Sequence, residues 1–276
     1  MTHTKANKSK ILALILCLTM CLALMLGIAM ASSTFAVYAE GGTGTTGGLI
    51  IDGTGNITAP DATYAYSAAD KTLMLNGYNG GVIRFTADDD VTVNLGGSTN
   101  TITLSDSAVT ENQYGVYAAG NLTVTGKGTL DINMDISGAG DEITTEYGKA
   151  LYGLYAKSLT INGEINVNVN LTSNGFSCGM FATKDITVAE KANVDVKCRS
   201  KYKNTEFYST NKVVYGIYSE NGDIKISGTG TKNIEHTCTV NFAQANEAKG
   251  IYAANDRQKG GGRIEISGAK LTIKMP

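Results

Sequence analysis

One phrase, written over and over, limits what this chain can fold into. YGVYAAGNLTVTGKGTLDIN begins at Tyr114, YGLYAKSLTINGEINVNVN at Tyr152 and YGIYSENGDIKISGTGTKNI at Tyr215. Aligned on the glycine of the opening words, the copies are NGGVIRF at Gly81, YGVYA at Gly115, YGLYA at Gly153, CGMFA at Gly179, YGIYS at Gly216 and KGIYA at Gly250, spaced by 26 to 38 residues. Such self-similarity marks a repeat architecture, in which a unit buries its apolar face only against its neighbours and cannot stand alone.

Each copy continues with two further phrases. The second is VTVNL from Val91, LTVTG from Leu122, LTING from Leu159, ITVAE from Ile186, IKISG from Ile224 and IEISG from Ile264. The third is TITL from Thr101, TLDINM from Thr129, EINVNVNL from Glu164, ANVDVKC from Ala192, HTCTVNF from His236 and KLTIKM from Lys270. Apolar and polar residues alternate in all of them, Val, Ile and Thr dominate, and Gly and Asn mark the corners, as in half-buried strands. Successive phrases differ while like phrases recur, so like strands stack in parallel about 4.8 Å apart instead of pairing as hairpins. The expected fold is all-β: a single-stranded parallel β-helix, or β-solenoid, right-handed and of six to seven rungs. Residues 67–276 form the repeats and the Gly- and Thr-rich residues 40–66 an amino-terminal cap that hides open strand edges. The last strand is only just written at LTIKMP, so either a partner covers that edge or the natural protein continues.

Residues 1–39 read as a secretory signal: Lys5, Lys8 and Lys10, an apolar run from Ile11 to Ala31, and a small-residue cleavage site ending at Ala39. The same run is long enough to remain as a membrane anchor. The large Met20 and Leu16 before Cys21 and Cys17 argue against lipidation. The expected location is extracellular, secreted or at the cell surface, with no membrane contact after cleavage. Removing the three leader lysines from a chain with 23 Lys and Arg against 25 Asp and Glu leaves a net charge of about −5. That balance excludes general nucleic-acid binding, which needs a basic footprint. The remaining cysteines, Cys178, Cys198 and Cys238, are too few and too scattered for a disulfide framework; Cys198 and Cys238 fall on apolar-phase positions of third strands.

The copies differ most between the third phrase and the next anchor, where 23 residues separate Leu130 from Gly153 and 22 separate Val194 from Gly216. Loops gathered at one corner of a repeat protein make a binding side. One such loop carries Asp135, Asp141, Glu142 and Glu146. The other carries Arg199, Lys201, Lys203, Tyr202, Phe207 and Tyr208, cations and rings that could hold an acidic polysaccharide or stand as an ordinary solvated loop. The anchor supplies a second candidate in Tyr117, Tyr155, Phe181, Tyr218 and Tyr252. If the preceding aliphatic residue points inward, alternation turns these rings outward as a sugar-stacking strip; rings stacked inside the coil would use the same pattern. Asp88, Asp89 and Asp90 precede a strand and offer oxygen donors for Ca2+, although their spacing matches no calcium loop and a solvated turn explains them equally.

No nucleophile elbow, zinc-protease or phosphate-loop motif is present, and the mature region holds a single histidine, His236, and no Trp. No catalytic residue is assigned. The phrases YSAADKTLMLNGYNGG, DDDVTVNLGGSTNTIT and YGVYAAGNLTVTGKGTLDIN, within a likeness running from about Tyr66 to the end, resemble secreted bacterial β-helix proteins, mainly of Firmicutes, called carbohydrate-binding-domain-containing proteins. The resemblance implies a right-handed parallel β-helix, an extracellular or surface location and, in some members, calcium-dependent binding of acidic plant polysaccharide. The leading expectation is a non-catalytic solenoid that binds polysaccharide or cell-wall glycan. Its alternatives are a structural or adhesive module that displays other domains or meets a surface protein, and a polysaccharide lyase.

Overall fold

Three strands per repeat, each followed by a glycine- or asparagine-marked corner, generate three sheets in a computed structural model that describes residues 48–59, 61–105, 111–136, 150–173, 176–200, 213–238, 247–254 and 262–274. All of these belong to the unit Val37–Pro276. Sheet A stacks Leu49–Ile51, Ile83–Phe85, Gln113–Ala118, Leu151–Ala156, Ser177–Ala182, Val213–Ser219 and Glu247–Ala253. Sheet B begins with Ile57–Thr58, Tyr64–Ser67 and Thr72–Leu75 and continues with Val91–Leu95, Leu122–Gly126, Leu159–Ile161, Ile186–Val188, Ile224–Ser227 and Ile264–Ser267. Sheet C stacks Asn79–Gly80, Thr99–Ser105, Thr129–Asp135, Asn166–Ser173, Asn193–Ser200, Thr231–Cys238 and Lys270–Lys274. The chain visits A, B and C in turn, and every pairing between successive repeats is parallel. The described residues are all-β without helix, an arrangement consistent with a β-solenoid.

The interior is built of apolar columns, one for each inward strand position, interrupted on sheet C by Asn100 and Lys232. Val116, Leu154, Met180 and Ile217 of sheet A, Leu122, Leu159, Ile186 and Ile224 of sheet B, and Ile132, Val169 and Val196 of sheet C are all fully or almost fully buried. Branched aliphatic side chains stacked in register fill such a core without polar groups to satisfy. Corners are locked separately. Asn166 Nδ2 donates to Thr129 Oγ1 (3.2 Å), Asn193 Nδ2 to Asn166 Oδ1 (2.8 Å), and the Thr231 amide to Asn193 Oδ1 (2.8 Å), an amide ladder across four turns.

At the first turn Ile57–Thr58, Tyr64–Ser67 and Thr72–Leu75 run antiparallel to one another, and only Thr72–Leu75 passes the parallel pairing on to Val91–Leu95. This meander covers the edge that sheet B would otherwise leave open.

Two third strands start earlier than their sequence assignment. The strand expected to start at His236 starts at Thr231, with Lys232 opposite Val194 and Leu271; the one expected from Thr101 starts at Thr99, with Asn100 opposite Leu130. The reason is the same in both. A polar residue occupies an inward position, which breaks the apolar alternation by which strands are recognised. Asn100 is satisfied there, accepting from the Gly77 and Tyr78 amides and donating to the Ser98 and Thr129 carbonyls. Lys232, with no exposed surface, donates from Nζ to the Gly230 carbonyl at 2.8 Å.

Candidate functional site

The outer surfaces of the three sheets are chemically unlike. Sheet B presents Thr72, Thr92, Thr123, Thr160 and Thr187 in one column, then Lys225 and Glu265. Sheet C presents Thr101, Asp131, Asn168, Asp195, Asn233 and Thr272. Sheet A presents rings, and all five anchor aromatics lie on this outer face.

The anchor glycine makes that possible. A Cβ on Gly115 would stand 2.5 Å from Ile132 Cγ2 and 2.6 Å from the Gly153 carbonyl, and one on Gly153 or Gly179 would collide with Val169 or Val196. The glycine therefore faces the interior, as does the aliphatic residue after it. Two consecutive inward residues break strict alternation, and the ladder registers pass over the glycine in each turn. The residues on either side, such as Tyr114 and Tyr117, consequently both point outward. Strand periodicity predicts one outward ring per turn, whereas the structure builds two columns.

One column is Arg84, Tyr117, Tyr155, Phe181, Tyr218 and Tyr252; the other is Tyr114, Tyr152, Cys178, Tyr215 and Lys249. Ring centroids are 5.3 Å apart for Tyr117–Tyr155, 4.8 Å for Tyr155–Phe181, 5.2 Å for Phe181–Tyr218 and 5.4 Å for Tyr218–Tyr252. Tyr114 and Tyr152 stack at 5.2 Å with planes 10° apart. Where Cys178 leaves a gap in the second column, Phe176 fills it from the preceding loop, 5.4 Å from Tyr152 and 5.6 Å from Tyr215. Cations close both ends: Arg84 lies 5.4 Å from the Tyr117 ring, and Lys249 Nζ is 3.7 Å from that of Tyr252.

Near-parallel rings this close must overlap face on face, because rings lying flat side by side need more room than one strand spacing. From Tyr117 through Tyr155 to Phe181, with planes 16–19° apart, the faces are thus turned along the stack toward other rings, whereas Phe181 and Tyr218 meet edge to face at 77°. What the stacked part of the surface offers is ring edges and phenolic hydroxyls, and a sugar would meet those instead of the open faces a stacking strip requires. Burial raises the Tyr152, Tyr155 and Tyr218 phenols above their ordinary value, so these three rings stay uncharged through neutral pH. Cys178 is fully buried against this cluster with Sγ 3.2 Å from the Met180 carbonyl, and burial pushes its thiol well up. Cys198 is a core residue whose thiol burial pushes up to about 12.

Beside the ladder, where sheet A turns into sheet B, an open cleft of about 440 Å³ is lined by Asp88, Tyr117, Tyr155, Lys157, Thr183 and Lys184. Backbone bonds from the Lys157 amide to the Gly120 carbonyl (3.0 Å) and from the Lys184 amide to the Lys157 carbonyl (2.7 Å) stack these corners turn on turn. Lys157 and Lys184 were not singled out by sequence; their only mark is that each follows an anchor phrase within two residues of its alanine.

The other sequence candidates are dispersed. Arg199 sits on sheet C, where Nη1 donates to Asn170 Oδ1 at 3.1 Å. Lys201, Tyr202, Lys203, Phe207 and Tyr208 lie outside the described residues, as do Asp141, Glu142 and Glu146 of the acidic loop. Both loops leave from the junction of sheet C with sheet A, since the flanking strand ends are in register. The three aspartates do not converge. Asp89 pairs with Lys71 at 2.9 Å, Asp90 Oδ1 accepts from the Asn121 amide at 3.3 Å, and Asp88 lines the cleft. Among the described residues no three His, Cys, Asp or Glu side chains gather as a metal site. No protein-family model, curated protein or solved structure matches the chain.

Proposed function

We propose that the protein is a secreted or cell-surface, non-catalytic, right-handed single-stranded parallel β-helix of six to seven rungs that binds polysaccharide along the outer face of sheet A. The observation that carries this reading is the contrast among the three outer faces: two display Thr, Asn, Asp and Lys, while the third displays a two-column row of tyrosines and phenylalanines over the five turns from Gln113–Ala118 to Glu247–Ala253. Tyrosine edges combine apolar contact with a hydroxyl that donates and accepts, which suits the mixed CH and OH surface of a glycan. Spacing by one strand repeats that contact at each turn, so weak contacts add along an extended polymer.

The test is retention of purified residues 40–276 on a panel of immobilised neutral and acidic polysaccharides, with Ca2+ and with chelator, while the eluate is followed for unsaturated uronate products. Retention that falls in Tyr117→Ala and Tyr155→Ala variants, without product, is the expected result. Product formation would make the chain a lyase. A second reading rests on the self-stacking of the rings: a ladder whose faces are already occupied can serve as cladding for a structural or adhesive module. That reading predicts no retention on any glycan and loss of stability in the same variants.

A further inference from the structure

We propose that the cleft between the ladder and the sheet A–sheet B corner is a subsite for the carboxylate of an acidic polysaccharide, held by Lys157 and Lys184. The inference rests on the glycan-binding reading and assigns the anionic part of that ligand. Lys157 and Lys184 occupy consecutive turns whose backbones are bonded directly to each other, and both line the cleft together with Tyr117 and Tyr155. Among the described residues neither ammonium has a carboxylate within ion-pair distance. The cleft contains one carboxylate, Asp88, against two ammonium groups, and so keeps a net positive charge in a chain whose formal net charge is −2.

The rest of the face is charged the same way at this end. Arg84 lies over the Tyr117 ring on the turn that also supplies Asp88 to the cleft. An extended polymer laid along the tyrosine edges would pass Arg84, then Lys157 and Lys184, with a carboxylate able to take charge-assisted hydrogen bonds from the two lysines; the Thr183 hydroxyl, which donates to the Lys157 carbonyl at 3.3 Å, is left to accept from a neighbouring sugar hydroxyl. Glu220, one turn beyond, sets the far limit of this basic stretch, since it acts on Tyr155 and Tyr218 as a negative charge.

The experiment compares the mature chain with a Lys157→Gln, Lys184→Gln double variant on immobilised polygalacturonate and on the same polymer after reduction of its carboxyl groups. Wild type is expected to bind the acidic form more tightly, with affinity falling as salt is added, and the variant to lose about fivefold to tenfold on that form only. Circular dichroism and thermal melting equal to wild type establish that the variant is folded; as Lys184 is exposed and Lys157 half-buried at a corner, the fold is expected to survive. Equal binding of both polymers by wild type, or undiminished binding of polygalacturonate by the folded variant, overturns the subsite and leaves the glycan-binding face standing. Failure of wild type to bind either polymer, or any other glycan of the panel, overturns both.

Discussion

Gly153 shows how much one residue can decide here. Its position is set by what a side chain would strike, the Val169 side chain on one side and the Gly179 carbonyl on the other, both fixed parts of neighbouring turns. Gly153→Ala should therefore destabilise the fold by about 1–3 kcal/mol through overpacking, which urea unfolding of the variant will measure; an unchanged midpoint would mean that the turn relaxes freely. Lys232 is the opposite case, a residue the core would be better without. Its side chain has no exposed surface and one carbonyl partner, and desolvation lowers its pKa. Because the folded value lies below the ordinary 10.5, the associated stability is present above pH 10.5 and is lost as pH falls through the folded value. Lys232→Leu, which extends the column of Leu130, Val167 and Val194, should raise stability near neutral pH by about 1 kcal/mol or more and remove that slope. A less stable variant would show that the amine contributes more than its burial costs.

At the scale of the element, the ladder on sheet A and the core column behind it belong to the same strands but differ in environment. Leu154 is fully buried whereas its neighbour Tyr155 remains half-buried between Tyr117 and Phe181. Truncation of Leu154 to Ala should cost about 2–5 kcal/mol and truncation of Tyr155 clearly less, so the two melting curves rank the inner and outer layers. Ring burial also has a pH signature. Folded pKa values raised above the ordinary 10.0 at Tyr152, Tyr155 and Tyr218 give stability that is complete below pH 10 and lost as pH rises through the folded values. Spectrophotometric titration of the phenols should therefore show a late-ionising group that becomes ordinary on unfolding; phenols that all ionise near pH 10 in the folded chain would contradict the packing. The Tyr152 and Lys232 slopes have opposite signs in the alkaline range, and the Lys232→Leu variant separates them.

For the whole molecule, each turn is stabilised by the turns beside it, and the two ends differ. The antiparallel meander of Ile57–Thr58, Tyr64–Ser67 and Thr72–Leu75 covers the first turn, while Ile264, Ile266 and Ile273 of the last described strands are 42–46% exposed. Amide exchange is expected to be slowest in Leu151–Ala156 and Asn166–Ser173 and fastest in Ile264–Ser267, with protection falling toward the exposed end; uniform protection would indicate a single cooperative block. The repetition of the anchor and strand phrases by itself determined that the chain builds parallel stacks of like strands around an aliphatic interior, because a period of strands with inward Val, Ile and Leu has no other way to bury them. Sequence also marked Tyr117, Tyr155, Phe181, Tyr218 and Tyr252 as a series. Only the tertiary structure decided that these rings face outward, that Tyr114, Tyr152 and Tyr215 join them, and that Lys157 and Lys184 meet beside them. A glycine's lack of a side chain says nothing in one dimension about which neighbour would have filled the space, and the column rings and the lysines brought together on successive turns are 26 or more positions apart along the chain. The inward Lys232 and Asn100 hid their strands for the converse reason: polar residues read as surface until the packing of neighbouring turns places them inside.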